Sequence, residues 1–139
     1  MNSNKESTGL DLKVKLSTLW IFVLFNIIFL EFHKLLQPGF IEEIITGFIG
    51  GAQMTQGVLL LGAIVLEIPI AMLLLSRLLQ YRVNRWANII AGAITIMAVV
   101  GNVSTDLDNI FFTTIIVAFL SLIIWYAWKW PDPELSPKN

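Results

Sequence analysis

Residues 57–76 read GVLLLGAIVLEIPIAMLLLS, twenty positions with one charged side chain, Glu67. About 20 helical residues cross a bilayer's hydrocarbon core, so this run is long enough to span one. Hydrocarbon offers the backbone no water, and the run lacks the alternation of a strand, so its polar groups must be satisfied within a helix. Three more apolar runs accompany it: Leu16 to Leu36, Trp86 to Val103 and Ile110 to Trp128. Within the four runs only Glu31, Lys34 and Glu67 are charged. A soluble four-helix bundle would show a charged stripe on every helix. Composition agrees: 56% of the 139 residues are hydrophobic and 14% charged, against about 25% charged in soluble proteins. The expected fold is all-α, an integral membrane four-helix bundle with helices about 16–36, 57–78, 86–103 and 110–128 inside a domain over 13–130.

The polar stretch 1–12 reads as a disordered tail, and Pro131, Pro133 and Pro137 make 131–139 a second tail. Lys13 and Lys15 before the first run suggest a secretory signal, but the run is too long and ends in Glu31-Phe32-His33-Lys34 without a small-residue cleavage site, so it is expected to stay as a helix. After Pro38-Gly39, the apolar residues Phe40, Ile41, Ile44, Ile45, Phe48 and Ile49 recur at helical spacing around Glu42, Glu43 and Thr46. That pattern predicts a short amphipathic helix over about 40–49 on the membrane surface between helices 1 and 2, ended by Gly50-Gly51; the alternative is an outward extension of helix 2.

Charge sets the expected orientation. Lys5, Lys13, Lys15, Arg77, Arg82, Arg85, Lys129 and Lys138 share one side, and only Lys34 lies on the other, beside Glu42, Glu43, Asp106 and Asp108. The positive-inside rule then places both termini in the cytoplasm of a cell (inner) membrane protein. Trp20, Tyr81, Trp86, Trp125, Tyr126, Trp128 and Trp130 fall near the same boundary, where amphipathic rings anchor.

The residues able to bear chemistry are few. Glu67, near the middle of its helix, costs a few kcal/mol or more to bury in hydrocarbon unless protonated, paired or hydrated, so it is expected to face the bundle. Pro69, just beyond it, frees the carbonyl of Val65. On helix 3, Asn84, Asn88, Ala91, Thr95, Ala98 and Asn102 recur at steps of four and three, which puts six small or polar residues on one face. The expected counterpart on helix 2 is Gln56, Leu60, Ala63, Glu67 and Ala71. Depth counting places Asn26, Glu67, Thr95 and Ser121 near the bilayer centre, as a layer of hydrogen-bonded contacts or as a ligand or proton site. Glu67, Asn26, Asn88, Thr95 and Gln56 are the candidate ligand-binding residues.

With no cysteine, disulfides, thiolate metal sites and CxxC redox chemistry are excluded, and a single histidine, His33, excludes a bis-histidine haem within one chain. No nucleotide-binding loop, HExxH or nucleophile elbow occurs. No catalytic residue, metal set or cofactor is read, no nucleic acid partner is expected, and one carboxylate is too little to name a reaction.

Three stretches, Lys13-Val14-Lys15-Leu16-Ser17-Thr18-Leu19-Trp20-Ile21-Phe22, Leu66-Glu67-Ile68-Pro69-Ile70-Ala71-Met72 and Tyr81-Arg82-Val83-Asn84-Arg85-Trp86-Ala87-Asn88, resemble a family of small uncharacterised bacterial membrane proteins, a domain of unknown function. That resemblance covers roughly Lys13 to Trp130 and implies a bacterial cell membrane. More remotely, Gly62 ahead of a membrane glutamate, preceded by a surface segment, is similar to the four-helix DoxX-like proteins, some of which are linked to quinone or thiol redox systems. Small multidrug transporters also combine four short helices with a membrane glutamate, but in their first helix.

Three functions are therefore expected. The first is binding of a small amphiphile, a quinone or a proton in a polar intramembrane pocket around Glu67. The second is proton-coupled small-molecule transport by a homo-oligomer. The third is an accessory or scaffold role beside another membrane protein. In each, the lipid bilayer is the protein's surroundings.

Overall fold

A computed structural model describes residues 3–131, with side chains described from Leu10 onward. Five helices follow in order: α1 Ser3–Leu35, α2 Phe40–Thr46, α3 Gln56–Leu78, α4 Tyr81–Gly101 and α5 Leu107–Trp128. Between α2 and α3 lie two short strands, β1 Phe48–Ile49 and β2 Ala52–Gln53. Four stretches, Leu10–Leu35 of α1 and all of α3, α4 and α5, are long and apolar enough to cross a membrane. That is the composition of a multi-pass membrane protein.

Around the bundle, α1 packs on α3 and α5, and α4 packs on the same two, so the order is α1, α3, α4, α5 with α1 diagonal to α4. Every sequence neighbour is a spatial neighbour, the simplest topology that short connections allow. The core follows a 3.5-residue repeat. Leu16, Trp20, Val23, Ile27 and Leu30 of α1 are buried, as are Asn109, Thr113, Ile116, Leu120, Ile123 and Ala127 of α5. On α4 the buried residues are Asn84, Asn88, Ala91, Gly92 and Thr95. Steps of four and three keep one seam facing the neighbours along a slightly supercoiled helix. Gly92 lets α4 and α5 approach closely, since a Cβ there would lie 2.9 Å from Cγ1 of Ile124.

The third helix departs from this pattern. Only Pro69, Met72 and Ser76 of α3 are buried, all in its second half. From Gln56 to Leu66 every residue is exposed except the half-buried Val65. Leu59, Leu60 and Leu61 are 59, 62 and 64% exposed. Three consecutive residues point about 100° apart, so this segment is uncovered on all sides. A Cβ on Gly62, which is on the bundle side of α3, would meet nothing within 4 Å. The first half of α3 therefore stands away from α1 and α4.

Several expected boundaries shift. α1 begins at Ser3, so much of the tail expected over 1–12 is helical; residues 132–139 lie outside the described residues. α4 begins at Tyr81 rather than Trp86, leaving a turn of only Leu79 and Gln80, because helix continues into polar residues beyond the apolar run. The short helix α2 ends at Thr46, where Gly47 (φ 75°) takes the left-handed position and its N–H bonds back to the carbonyls of Glu43 and Ile44. Gly50-Gly51, expected to stop that helix, instead forms the turn of the hairpin, with φ of 57° and 79°. Positive φ at both central residues is what a two-residue hairpin turn requires. Glu43 braces it, accepting a hydrogen bond from the Gly50 N–H at 2.8 Å.

Candidate functional site

The polar centre of the bundle lies near the α3–α4 turn. There the Trp20 indole Nε1 donates to Oδ1 of Asn88 at 2.7 Å, crossing the bundle diagonal from α1 to α4. Ser76 Oγ donates to the same oxygen at 3.1 Å. Asn88 Nδ2 in turn donates to the carbonyl and to Oδ1 of Asn84, at 2.9 and 2.7 Å. Asn84 Nδ2 donates to the carbonyls of Ser76 (2.6 Å) and Leu79 (3.4 Å). These carbonyls end α3 and would otherwise lack a partner, so Asn84 ties the turn shut. Beside this network Ser17 Oγ donates to the Leu73 carbonyl at 2.8 Å and accepts from Arg77 Nε at 3.0 Å.

An amide offers two donor and two acceptor positions. Asn88 has both of each engaged inside the protein, and it is fully buried. No position remains for a ligand unless an internal bond breaks. The network is a latch joining α1, α3 and α4.

The other expected site residues do not join it. Asn26, half-buried, donates to the Phe22 carbonyl of its own helix at 2.8 Å. Thr95 is buried, and its hydroxyl bonds back to the Ala91 carbonyl at 2.8 Å. Ser121 is exposed and bonds back to Val117 in the same way. Gln56 is exposed at the start of α3. Glu67 is exposed as well, with no hydrogen bond or ion pair to any described residue. The expected layer of Asn26, Glu67, Thr95 and Ser121 does not assemble.

Glu67 is the main correction. At 100° per residue it lies about 160° around α3 from Pro69, on the side opposite the residues that pack. The expected pairing of the Gln56, Leu60, Ala63, Glu67 and Ala71 face with α4 is thus replaced by pairing through Pro69, Met72 and Ser76. Polar complementarity decides this: Ser76 and the Leu73 carbonyl supply the partners that Asn88 and Ser17 need. The α4 face itself is placed as expected from Asn84 to Thr95, while Asn102 is exposed and bonds back to Ala98.

Trp20 is a second correction, since it is fully buried in the core instead of anchoring at a membrane boundary. Its spacing of four from Leu16 and three from Val23 was a legible signal of the seam. Other rings near the same end of the bundle meet cations instead. Lys15 sits over Tyr126 (4.9 Å), Lys129 over Trp125 (4.0 Å) and Arg85 over Trp128 (5.8 Å). Tyr81 donates to the Trp130 carbonyl at 2.8 Å.

At the opposite end a cavity of about 690 Å³ opens between α1, α2 and the α4–α5 loop, lined by Glu31, Lys34, Glu43, Asn102, Asp106 and Asn109 among others. Its charged groups are largely engaged: Lys34 pairs with Glu31 at 2.8 Å, and Asp106 accepts from Ser104 Oγ at 2.7 Å and from Gln37 at 3.4 Å. His33 approaches Asp108 at 3.8 Å, linking α1 to α5.

A family model described as a family of unknown function, DUF6326, matches residues 9–137. No curated protein matches the chain. No solved structure matches it either.

Proposed function

Since the chain belongs to DUF6326, a family of unknown function, we propose from its own geometry that it is a non-enzymatic membrane assembly protein, an accessory or scaffold subunit whose open α3 face receives another membrane-spanning helix. The observation that carries this reading is Glu67, a carboxyl midway along an apolar helix, turned away from its own bundle with no partner among the described residues. An ionisable group in hydrocarbon persists where something polar meets it. The bundle meets it with nothing, so the partner comes from outside. In this reading the protein crosses the cell membrane with both termini cytoplasmic, supported by eight of its nine Lys and Arg residues falling on that side.

A photoreactive amino acid at Leu60 tests the reading in intact membranes. The expected product is a discrete protein adduct, absent when the probe stands at Leu122, an exposed position on α5. Lipid adducts alone at Leu60 would reject it.

One observation favours a second reading, binding of a small amphiphile or quinone with proton exchange at Glu67. Gly62 is exposed and a Cβ there would meet nothing within 4 Å, which leaves open space beside the apolar first half of α3. Saturable binding of a quinone or a cationic amphiphile that Glu67→Gln abolishes, with pH-gradient-driven flux as its transport version, would favour this reading over assembly.

A further inference from the structure

We infer that the cavity at the α2 end of the bundle binds a primary ammonium group carried next to an acceptor oxygen, the chemistry of an ethanolamine phosphate. This site is separate from the open α3 face and does not depend on what covers that face. Its charge comes first. Among the described residues, the charged groups of the lining are the carboxyls of Glu31, Glu43 and Asp106 and the ammonium of Lys34. Three against one leaves a formal excess of two negative charges. Each carboxyl is engaged through one oxygen only. Glu31 Oε1 holds Lys34, Glu43 Oε2 accepts from the Gly50 N–H, and Asp106 Oδ2 accepts from Ser104 and Gln37. The second oxygen of each makes no hydrogen bond to a described residue.

Carboxyls around a cleft would by themselves describe a hydrated surface, and Asn109 adds an independent observation. It is 1% exposed. Its Oδ1 accepts from the Ser104 backbone N–H at 3.2 Å and from the Thr113 hydroxyl at 3.4 Å. A backbone N–H can only donate, so it fixes which side of the amide is oxygen. Nδ2 is then left without a hydrogen bond to any described residue, although carboxyls line the same cavity. The nitrogen is not sealed in the core either, since Arg85 Nε is the one fully buried side-chain polar atom without a partner among the described residues. A buried side chain thus brings an unused donor to the wall of a cavity of about 690 Å³. Buried donors are matched by acceptors, and here the chain supplies none.

One molecule meets both demands. A primary ammonium offers N–H donors to carboxyl oxygens that only accept, whereas a quaternary ammonium offers none. An oxygen borne close to that ammonium meets Asn109 Nδ2 and the N–H groups of Lys34 that Glu31 leaves unused. The cavity lies where the apolar stretches Leu10–Leu35 and Tyr81–Gly101 end and Leu107–Trp128 begins. Beside it α2 is divided lengthwise. Phe40 and Glu43 line the cavity, while Ile41, Ile44 and Ile45 are exposed on the remaining arc. Across a bilayer this is headgroup depth, with acyl chains beside the isoleucines. A phospholipid headgroup is therefore the favoured source, and free phosphoethanolamine is the soluble source of the same chemistry.

The test titrates full-length, delipidated chain in detergent with phosphatidylethanolamine, phosphatidylcholine and phosphatidylglycerol of matched acyl chains, counting bound lipid by native mass spectrometry. The ethanolamine lipid is expected to bind at least about tenfold more tightly than the glycerol lipid and about threefold more tightly than the choline lipid. Glu43→Gln, whose side-chain oxygen still accepts from Gly50, is expected to weaken the ethanolamine lipid about fivefold. Glu42→Gln, one residue away and outside the lining, is expected to leave it unchanged. Asn109→Asp keeps an oxygen for Ser104 and Thr113 and removes the donor, so the preference for the ethanolamine lipid over a long-chain alkylamine, which lacks the phosphate, is expected to shrink. Soluble O-phosphoethanolamine separates the two sources: displacement of the lipid at equal concentration assigns the site to a free ligand, and retention of the lipid assigns it to a headgroup. Three lipids bound alike with no uptake of O-phosphoethanolamine, preference for the glycerol lipid, or equal effects of Glu43→Gln and Glu42→Gln would leave only a hydrated cleft and overturn the inference.

Discussion

Two stripes of the same spacing meet opposite fates in this molecule. On α4, Asn84, Asn88, Ala91 and Thr95 are buried, and the amides are bonded into a closed network with Trp20 and Ser76. On α3, Gln56, Leu60, Ala63 and Glu67 are exposed, and the one ionisable group among them has no partner among the described residues. The difference teaches that polarity inside a span does not by itself say which way a side chain faces. What decides is whether the chain can satisfy it. Asn88 makes four hydrogen bonds to three residues within the bundle; Glu67 lies opposite the α3 face that packs.

The comparison can be broken by substitution. The largest effect is expected from Asn88→Leu, which leaves the Trp20 N–H, the Ser76 hydroxyl and the Asn84 side-chain oxygen without their partner. Interhelical hydrogen bonds in membranes average about 0.6 kcal/mol and reach about 1.7, and an orphaned buried group costs about 1–3 kcal/mol. A loss of about 2–4 kcal/mol is expected, read as a lower unfolding midpoint in mixed micelles. Gly92→Leu ranks next, because its side chain would enter Ile124; overpacking of this kind costs about 1–3 kcal/mol, and Gly92→Ala should lie at the low end. Trp20→Phe keeps the ring and removes the donor, so about 1 kcal/mol is expected by the same unfolding assay, with Ser76 still holding Asn88. Glu67→Leu is expected to change the stability of the monomer in detergent by no more than about 0.5 kcal/mol, as at an exposed site.

Reading the chain as residues recovered four long apolar helices, a short helix between the first two and the buried face of α4, because length and 3.5-residue spacing follow directly from helix geometry. What it missed has physical causes. Apolar runs mark where hydrocarbon would lie, not where hydrogen-bonded helix stops, so the first turn of α4 from Tyr81 and the start of α1 fell outside the expected bounds. Strands of two residues are too short to alternate, and Gly50-Gly51 fits a helix stop as readily as a hairpin turn. Trp20 suited the boundary by depth alone, while its indole N–H required a deep partner that only the fold reveals. Turning Glu67 inward assumed that one chain must satisfy its own charges, whereas α3 packs through Pro69, Met72 and Ser76 and leaves Glu67 exposed on the opposite side.

The most direct test is a double-mutant cycle between Glu67 and Asn88 in a detergent that keeps the chain monomeric, using Glu67→Leu, Asn88→Leu and the pair. Sites that share no partners add to within about 0.3–0.5 kcal/mol. Additivity within that range, with the whole loss on Asn88, is the expected result. A coupling of about 1 kcal/mol or more would place the carboxyl back inside the bundle and contradict the outward-facing stripe.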